Sequence, residues 1–155
     1  MMQRSDLYEH LVSEGDIALD KLDEWANKTP DKTFIHFGET GLKLSFAEVR
    51  QRSNVLAAGL ASLGVTKGDR VSVLTGNSLT ATIAMFAAWR VGALYAPHNY
   101  NLRGQLLSYQ INDTSPAVMI TDTAFADVLA DIASELTVNH VVVFPGAYGA
   151  ELSGS

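Results

Sequence analysis

The chain has 155 residues, of which 47% are hydrophobic and 18% are charged, and its formal net charge is −6. This length suffices for one domain with a sizeable core, and the composition excludes a disordered chain. The acidic balance argues against nucleic-acid binding, which normally requires a basic face. Cysteine is absent, which excludes disulfides and thiolate catalysis and suits a reducing compartment, so we expect a cytoplasmic protein.

The two ends of the chain differ in composition from its middle. Residues 1–15 lack the apolar core of a secretory signal, and we interpret them as a lead-in. Residues 145–155 are rich in glycine and serine without periodicity, which predicts a flexible tail. The most apolar run, residues 79–89, is shorter than the roughly 20 residues that cross a bilayer, so no transmembrane segment is predicted. A single α/β subdomain is expected between the ends, over residues 16–144.

A helix followed by a hairpin is predicted at the start of this subdomain. The helix covers residues 16–27 and ends at Thr29-Pro30, because the residue before a proline disfavours the α region. Apolar and polar residues then alternate in residues 33–37 and 42–46 on either side of a glycine-containing turn, which predicts a β-hairpin.

The second predicted helix, over residues 45–63, has the clearest end signals. Ser45 and Glu48 have the spacing of a capping box, and Gly64 is placed to end the helix in the left-handed conformation. Its apolar residues recur at helical spacing, with Ser53 as a gap in the stripe. The stripe consists of Phe46, Val49, Leu56, Leu60 and Leu63.

Strands and helices alternate in the rest of the chain. Four short apolar strands are predicted at residues 70–74, 93–96, 117–121 and 140–144. Three helices are predicted between them, at residues 79–90, 102–113 and 124–135. Short loops in this order predict a parallel sheet with right-handed crossovers and helices on both faces. The fold class is therefore α/β, a parallel-sheet layer flanked by helices and preceded by a helix and a β-hairpin.

The carboxyl ends of the strands are where a sheet of this kind binds ligands. Gly76, Asn77 and Ser78 precede a helix there, and their backbone N–H groups could hold an anion. Asn77 or Ser78 acting as an ordinary helix cap is the commoner role. The chain has no P-loop and no dinucleotide-binding glycine motif, and Lys67 is expected to be a solvated turn residue.

Histidine is the second candidate for chemistry. The four histidines are His10, His36, His98 and His140. No two of them lie three or four residues apart, which excludes a metal-binding pair on one helix. His98 follows a strand on the crevice side, so it either positions a ligand or serves as a turn residue bonded to backbone. His36 lies in the hairpin and is expected to be structural.

Arg103 and Asp122 also flank the expected crevice. Arg103 begins a helix, where it would clamp a carboxylate or phosphate or form a surface salt bridge, for example to Asp113. Asp122 is predicted to be the N-cap of the last helix.

The remaining aromatic and acidic residues are given structural interpretations. We expect three aromatic side chains in the core, namely Trp25, Trp89 and Tyr109. We expect a solvated helix face formed by Asp127, Asp131 and Glu135. The residues alone therefore assign no catalytic residue and no metal ligand, and the cofactor-binding residues stay unknown.

Three segments nevertheless resemble a known family when they are taken together. They are LSFAEV (44–49), GVTKGDRVSVLTGNS (64–78), and the pair VGALYAPHN (91–99) and LSYQINDTSPAVMITD (107–122). In this order and spacing the chain resembles adenylate-forming (AMP-binding) enzymes, in particular the N-terminal portion of acyl-CoA synthetases, the fatty acid–CoA ligases. The resemblance runs from about Asp16 to Asp122 and more loosely to Phe144. Phe46 in place of tyrosine and Thr75-Gly76 in place of Leu/Met-Pro are departures from the family pattern.

The resemblance implies a truncated enzyme. The family uses ATP and Mg²⁺ to convert a carboxylate into an acyl-adenylate, and then transfers the acyl group to a thiol such as CoA. The family's phosphate loop ending in Pro-Lys-Gly, its ribose-binding aspartate and its catalytic lysine have no counterpart in these residues, so no site residue is carried over. We therefore expect a fragment that is inactive alone and binds no cofactor alone. Its expected partner is the remainder of the parent enzyme, or a second copy, bound through exposed apolar surface.

Two alternatives remain open at this point. The chain is either a stand-alone α/β binding or oligomerisation module, or an unrelated doubly wound enzyme with its own site near His98 or Asn77.

Overall fold

The structure, a computed structural model, describes residues 17–38 and 40–145. The helices are α1 (Ala18–Lys28), α2 (Phe46–Ser62), α3 (Leu79–Arg90), α4 (Gly104–Thr114) and α5 (Ala126–Ala130). The strands are β1 (Thr33–His36), β2 (Lys43–Ser45), β3 (Arg70–Leu74), β4 (Leu94–Pro97), β5 (Val118–Asp122) and β6 (Val141–Phe144). The predicted lead-in and most of the predicted tail lie outside the described residues. Within the described ranges, no helix is long and apolar enough to cross a membrane.

The main sheet has the strand order β4-β3-β5-β6, and every neighbouring pair is parallel. From β3 the chain goes to the edge strand β4, crosses back to β5, and continues to β6. With right-handed crossovers, this reversal places α3 on one face of the sheet and α4 and α5 on the other. The β1–β2 hairpin forms a separate antiparallel sheet. The predicted fold class is confirmed.

Both faces of the sheet are buried because side chains alternate along each strand. Val73 and Ile120 pack with Ala84 of α3 in one apolar cluster. Leu74 and Met119 pack on the opposite face in a second cluster. That second cluster takes its helical side chains from α4 and α5, namely Leu107, Ile111 and Leu129. The continuous apolar character of the predicted strands is explained by this two-sided cover.

Helix α3 is buried on two sides. Seven of its residues are buried, namely Leu79, Thr80, Ile83, Ala84, Phe86, Ala87 and Ala88. The alanines face the sheet, whereas Leu79, Ile83 and Phe86 pack into a third cluster with the hairpin, α1 and α2. The absence of charged residues between Leu79 and Trp89 is therefore explained by packing, as the sequence indicated.

The predicted end signals of α2 are confirmed. Ser45 Oγ accepts a hydrogen bond from the backbone N–H of Glu48 at 3.2 Å, and the Glu48 carboxylate accepts one from the backbone N–H of Ser45 at 2.7 Å. Gly64 follows the helix with φ of 87°, the left-handed conformation that favours glycine. The predicted apolar stripe is wrong at Leu63, which is 38% exposed.

Ser53, the gap in the α2 stripe, is buried because Arg90 bonds to it. Arg90 Nε donates to Ser53 Oγ at 2.9 Å, and the two terminal nitrogens of the same guanidinium donate to the Asp23 carboxylate at 3.1 and 2.7 Å. The Arg90 side chain is only 13% exposed. Its hydrogen bond holds the pKa of Asp23 below the usual value, although burial opposes this shift. One side chain thus ties the last turn of α3 to α1 and α2.

The last predicted helix, residues 124–135, is wrong as a continuous element. The structure has the short helix α5 and a separate 3-10 turn at Ala133–Glu135. After the break, the side chain of Asn112 in α4 donates to the Glu135 carbonyl at 2.7 Å and accepts from the Thr137 backbone N–H at 3.0 Å. These bonds hold the segment against α4 in a non-helical path. The predicted apolar face survives, since Leu129 and Ile132 are buried.

The three aromatic residues predicted to lie in the core are exposed. Trp25 is 40% exposed, Trp89 is 37% exposed and Tyr109 is 65% exposed. Trp25 lies under the ammonium groups of Lys28 and Lys32, at 5.6 and 5.7 Å from its ring centre. For Trp25 these cationic neighbours make exposure less costly than it is for an aliphatic side chain, so its large apolar ring did not require a place in the core.

We predict that Arg90→Lys lowers the free energy of unfolding by about 1–3 kcal/mol, because lysine cannot reproduce the planar fork toward Asp23 together with the bond to Ser53. The matched control is Arg50→Lys, since the Arg50 guanidinium makes an exposed hydrogen bond to Asn27. That change should cost about 0.5 kcal/mol or less. Urea unfolding followed by circular dichroism measures both, and equal losses would contradict a special role for Arg90.

Candidate functional site

The carboxyl ends of β3, β4 and β5 form the candidate site. Leu74 pairs with Thr121, so Thr75 and Asp122 are neighbours where their strands end. Pro97 pairs with Val73, which brings the loop that begins at His98 to the same edge. The chain leaves β3 and β5 toward opposite faces of the sheet, which makes this edge its topological switch point.

The loop after β3 is organised by hydroxyl groups. Ser78 Oγ accepts a hydrogen bond from the Ala81 backbone N–H at 3.3 Å and so caps α3. The same hydroxyl donates to Thr75 Oγ1 at 3.2 Å, and Thr75 Oγ1 donates to the Gly76 carbonyl at 2.9 Å. Ser78 therefore has the ordinary capping role. Anion binding by the backbone of Gly76 and Asn77 stays a prediction.

His98 is bonded through both its backbone and its ring. Its backbone N–H donates to the Val73 carbonyl at 2.8 Å, as expected of a turn residue. Its ring Nε2 lies 2.9 Å from Ser72 Oγ, which is fully buried in β3. Burial lowers the pKa of the His98 imidazole, so its neutral form is favoured. The ring thus satisfies a buried hydroxyl of the sheet, a contact that sequence spacing did not indicate.

Arg103 braces the loop that follows β4. Its guanidinium donates to the backbone carbonyls of Tyr100 and Leu102, both at 2.7 Å. Among the described residues Arg103 has no ion pair, so the expected salt bridge to Asp113 is replaced by backbone contacts. The Tyr100 ring packs edge-on against Phe125, at 5.9 Å between ring centres, and so links this loop to the one after β5.

Asp122 is the last residue of β5 and does not cap a helix as predicted. Its Oδ1 accepts from the Ala124 backbone N–H at 3.1 Å, and its carbonyl accepts from the Phe125 N–H at 3.0 Å, so it closes a turn before α5. The residue is fully buried, and this burial raises the pKa of its carboxyl. Its Oδ2 has no hydrogen-bond partner in the described part of the chain.

The other acids of this region do not form a metal centre. In the described ranges, no three histidine, aspartate or glutamate side chains are grouped so that they could hold a metal ion. Asp127 and Asp131 are exposed, as expected of a solvated face. Glu135 is exposed as well, and its carboxylate accepts a hydrogen bond from the Ser108 hydroxyl of α4.

The structure also has a groove on the α3 face of the sheet, which the sequence analysis did not predict. It has a volume of about 510 Å³ and lies between α2, α3 and the end of β6. The groove is lined by Glu48, Gln51, Arg52, Val55, Leu56, Gly59, Ile83 and Phe144. Val55 on its wall is 70% exposed, and Val141 and Val143 on the edge strand are 46% and 47% exposed. Val142 and Phe144 pack on the α3 face, so Val141 and Val143 lie on the opposite face of the sheet from the groove.

Comparison with known proteins gives consistent matches. The pattern of the AMP-binding enzyme family matches residues 22–151. The long-chain-fatty-acid–CoA ligase of Salmonella typhimurium is 32% identical over 111 residues, which cover 71% of this chain and 19% of that protein. Feruloyl-CoA synthase from an Amycolatopsis species is 32% identical over 109 residues, or 70% of this chain and 22% of that protein. A solved long-chain-fatty-acid–CoA ligase from Archaeoglobus fulgidus has a TM-score of 0.76 at 25% identity, covering 92% of this chain and 29% of that one.

We predict that His98→Gln makes stability less sensitive to acid. The folded pKa of His98 lies below 6.5, so the unfolded chain takes up the proton first. The stability contributed by the neutral ring is therefore present above pH 6.5 and is lost as the pH falls toward the folded pKa. Urea unfolding at pH 7.5 and about pH 5 should show a smaller acid loss for His98→Gln than for wild type. The matched control is His140→Gln at an exposed position, and an equal change in both variants would refute the role of burial.

Proposed function

Because the chain belongs to the AMP-binding enzyme family, we propose that it is the N-terminal portion of an ATP-dependent acyl-CoA synthetase. The family match over residues 22–151 carries this proposal, together with relatives that are named as CoA ligases and a CoA synthase. The chain spans about a fifth of the length of the curated relatives described above. The activity therefore belongs to a longer parent protein, which we expect to be cytoplasmic.

The proposed reaction has two steps in the parent. A substrate carboxylate attacks the α-phosphorus of Mg²⁺-bound ATP, which forms an acyl-adenylate and releases pyrophosphate. The thiol of CoA then attacks the acyl carbonyl, which forms a thioester and releases AMP. ATP, Mg²⁺ and CoA are thus the cofactors and cosubstrates of the parent.

In this proposal the present residues serve as scaffold. No Pro-Lys-Gly phosphate loop occurs in the 155-residue sequence, and Lys67 is exposed in a turn. At the carboxyl edge, Ser78, His98 and Arg103 are all engaged in bonds that hold loops in place. We therefore assign them no catalytic role. Residues 16–144 form the subdomain against which the rest of the parent packs.

The surface for that packing is the α2–α3–β6 groove and the neighbouring strand edge. Edge strands present unpaired backbone groups, and apolar surface of this kind favours association. The groove is open beside Phe144, which is the point at which the chain leaves the sheet. The remainder of the parent enzyme is the expected occupant of this surface.

A second candidate function, a stand-alone oligomerisation module, is favoured by the same exposed apolar residues. In this case a second copy of the chain would cover the groove. The two candidates differ in what covers the groove. It is the remainder of the parent enzyme in the first and a second copy of the chain in the other.

We predict that the purified 155-residue chain shows no exchange of pyrophosphate into ATP with any fatty acid, because the phosphate loop and catalytic lysine of the family are absent from it. The measurement is incorporation of labelled pyrophosphate into ATP, with a complete acyl-CoA synthetase as the positive control. Exchange above the background of a heat-treated sample would overturn the assignment of a scaffold role.

We also predict that Val55→Glu reduces self-association and the binding of an apolar dye by the 155-residue chain, because the side chain is 70% exposed on the groove wall. The matched control is Leu106→Glu on α4, since Leu106 is 57% exposed and lies away from the groove. Light scattering and dye fluorescence should fall at least about twofold more for Val55→Glu. Equal reductions would show that the groove is not the preferred surface.

A further inference from the structure

Strand β6 is an edge strand of the sheet in the described part of the chain. The His140 and Phe144 carbonyls accept hydrogen bonds from backbone N–H groups in and just after β5, at 2.9 and 3.0 Å. Backbone groups of successive residues alternate between the two sides of a strand, so Val142 also faces β5, whereas Val141 and Val143 direct their N–H and C=O groups away from it. Such a row of outward donors and acceptors is a template for a further strand.

The opposite edge strand, β4, is protected in a way that β6 is not. The N–H groups of Leu94 and His98 donate to carbonyls of β3 and of the residue before it, at 2.7 and 2.8 Å, so Pro97 faces outward. A proline at an outward position costs no ladder hydrogen bond and hinders the pairing of another strand. The sequence of β6 is VVVF, without proline or charge, so β6 has the composition of an interior strand.

The side chains of β6 are also covered incompletely. Val141 and Val143 are 46% and 47% exposed, although their register partners in β5, Met119 and Thr121, are fully buried. Met119 belongs to the cluster that α4 and α5 cover, so the exposed valines lie on that face. On the other face, Phe144 lines the open groove. The sheet is therefore apolar and partly uncovered on both faces beside β6.

The path of the chain determines the face on which a further connection would lie. The chain steps in one direction along the sheet from β3 to β4, with α3 on one face, and in the other direction from β4 to β5 and on to β6, with α4 and α5 on the opposite face. A right-handed connection from β6 to a strand beyond it continues the second direction. Its helix must therefore lie on the α4–α5 face, where Val141 and Val143 are exposed.

We propose that the parent polypeptide beyond Ser155 supplies a fifth parallel strand, which pairs with β6 through the outward backbone groups of Val141 and Val143. The helix that leads to this strand covers the two exposed valine side chains on the α4–α5 face. On the α3 face, side chains of the new strand extend the wall of the groove beside Phe144.

The length of the chain after β6 identifies the source of the strand. Residues 146–155 number ten, which is fewer than the dozen or so that a crossover between parallel strands requires. The curated relatives described above are much longer than the matched part, which covers 19% and 22% of them. This inference rests on the proposed function, since only a longer parent contains the residues that form the strand.

Amide hydrogen exchange at single-residue resolution tests the pairing, in the 155-residue chain and in the parent expressed from its complete reading frame. The Val141 and Val143 amides should exchange at least about 100-fold more slowly in the parent, because they donate to the new strand there. Val142 is the matched control, since its N–H faces β5 and should be protected in both proteins. Equal exchange of Val141 and Val143 in the two proteins would overturn the proposal.

The variant Val143→Pro provides a second measurement, by urea unfolding. Like Pro97 in β4, a proline at this outward position removes no bond within the described sheet, so the unfolding equilibrium constant of the 155-residue chain should rise by less than about fivefold. In the parent it removes a ladder bond to the new strand, and the constant should rise by at least about 30-fold. The matched control Val142→Pro removes an N–H that faces β5 and should destabilise both proteins. A similar effect of Val143→Pro in both proteins contradicts the proposal.

The outcomes separate this inference from the proposed function. A parent that forms acyl-CoA but leaves the Val141 and Val143 amides unprotected overturns only the inference. Protected amides in a parent without this activity support the inference and contradict the proposed function. Protection in the 155-residue chain that increases with protein concentration would show that a second copy occupies the edge. A reading frame that ends at Ser155 would leave β6 without a following strand, and either of these last two results overturns the proposal.

Discussion

The two-sided burial of α3 is the constraint on which the rest of the structure depends. Its alanines lie against the parallel sheet, while Leu79, Ile83 and Phe86 on its other side form a cluster with the hairpin, α1 and α2. A helix without charged residues along most of its length loses little by such burial. The single cation at its end, Arg90, would be costly there without partners, and Asp23 and Ser53 supply them. Packing and charge pairing therefore join the N-terminal elements to the sheet.

The sequence predicted the fold well because local signals and the apolar pattern agree over most of the chain. The capping box at Ser45 and Glu48, the left-handed Gly64 and the order of strands and helices from Arg70 onward all indicated the same architecture. Each of these signals acts within a few residues, or repeats with the period of one element. Such information can be obtained from one sequence without any knowledge of distant contacts.

The features that sequence reasoning missed depend on distant pairs. Ser53 looked like a gap in an apolar stripe because its partner, Arg90, lies 37 residues away. The segment after the last helix is bonded to Asn112, which lies on a different element 23 residues before Glu135. At the candidate site, the positions after the strands were anticipated, whereas the pairing of His98 with Ser72 was not. No spacing rule links residues whose proximity is created only by folding.

The carboxyl edge of the sheet differs from the region of β6 and the groove in how its side chains are bonded. At the carboxyl edge, the loops are held by hydrogen bonds from Thr75, His98, Arg103 and Ala124. Along β6 and the groove, by contrast, apolar side chains are exposed to solvent. The hydrogen-bonded loops and the exposed apolar side chains therefore lie at different borders of the same sheet.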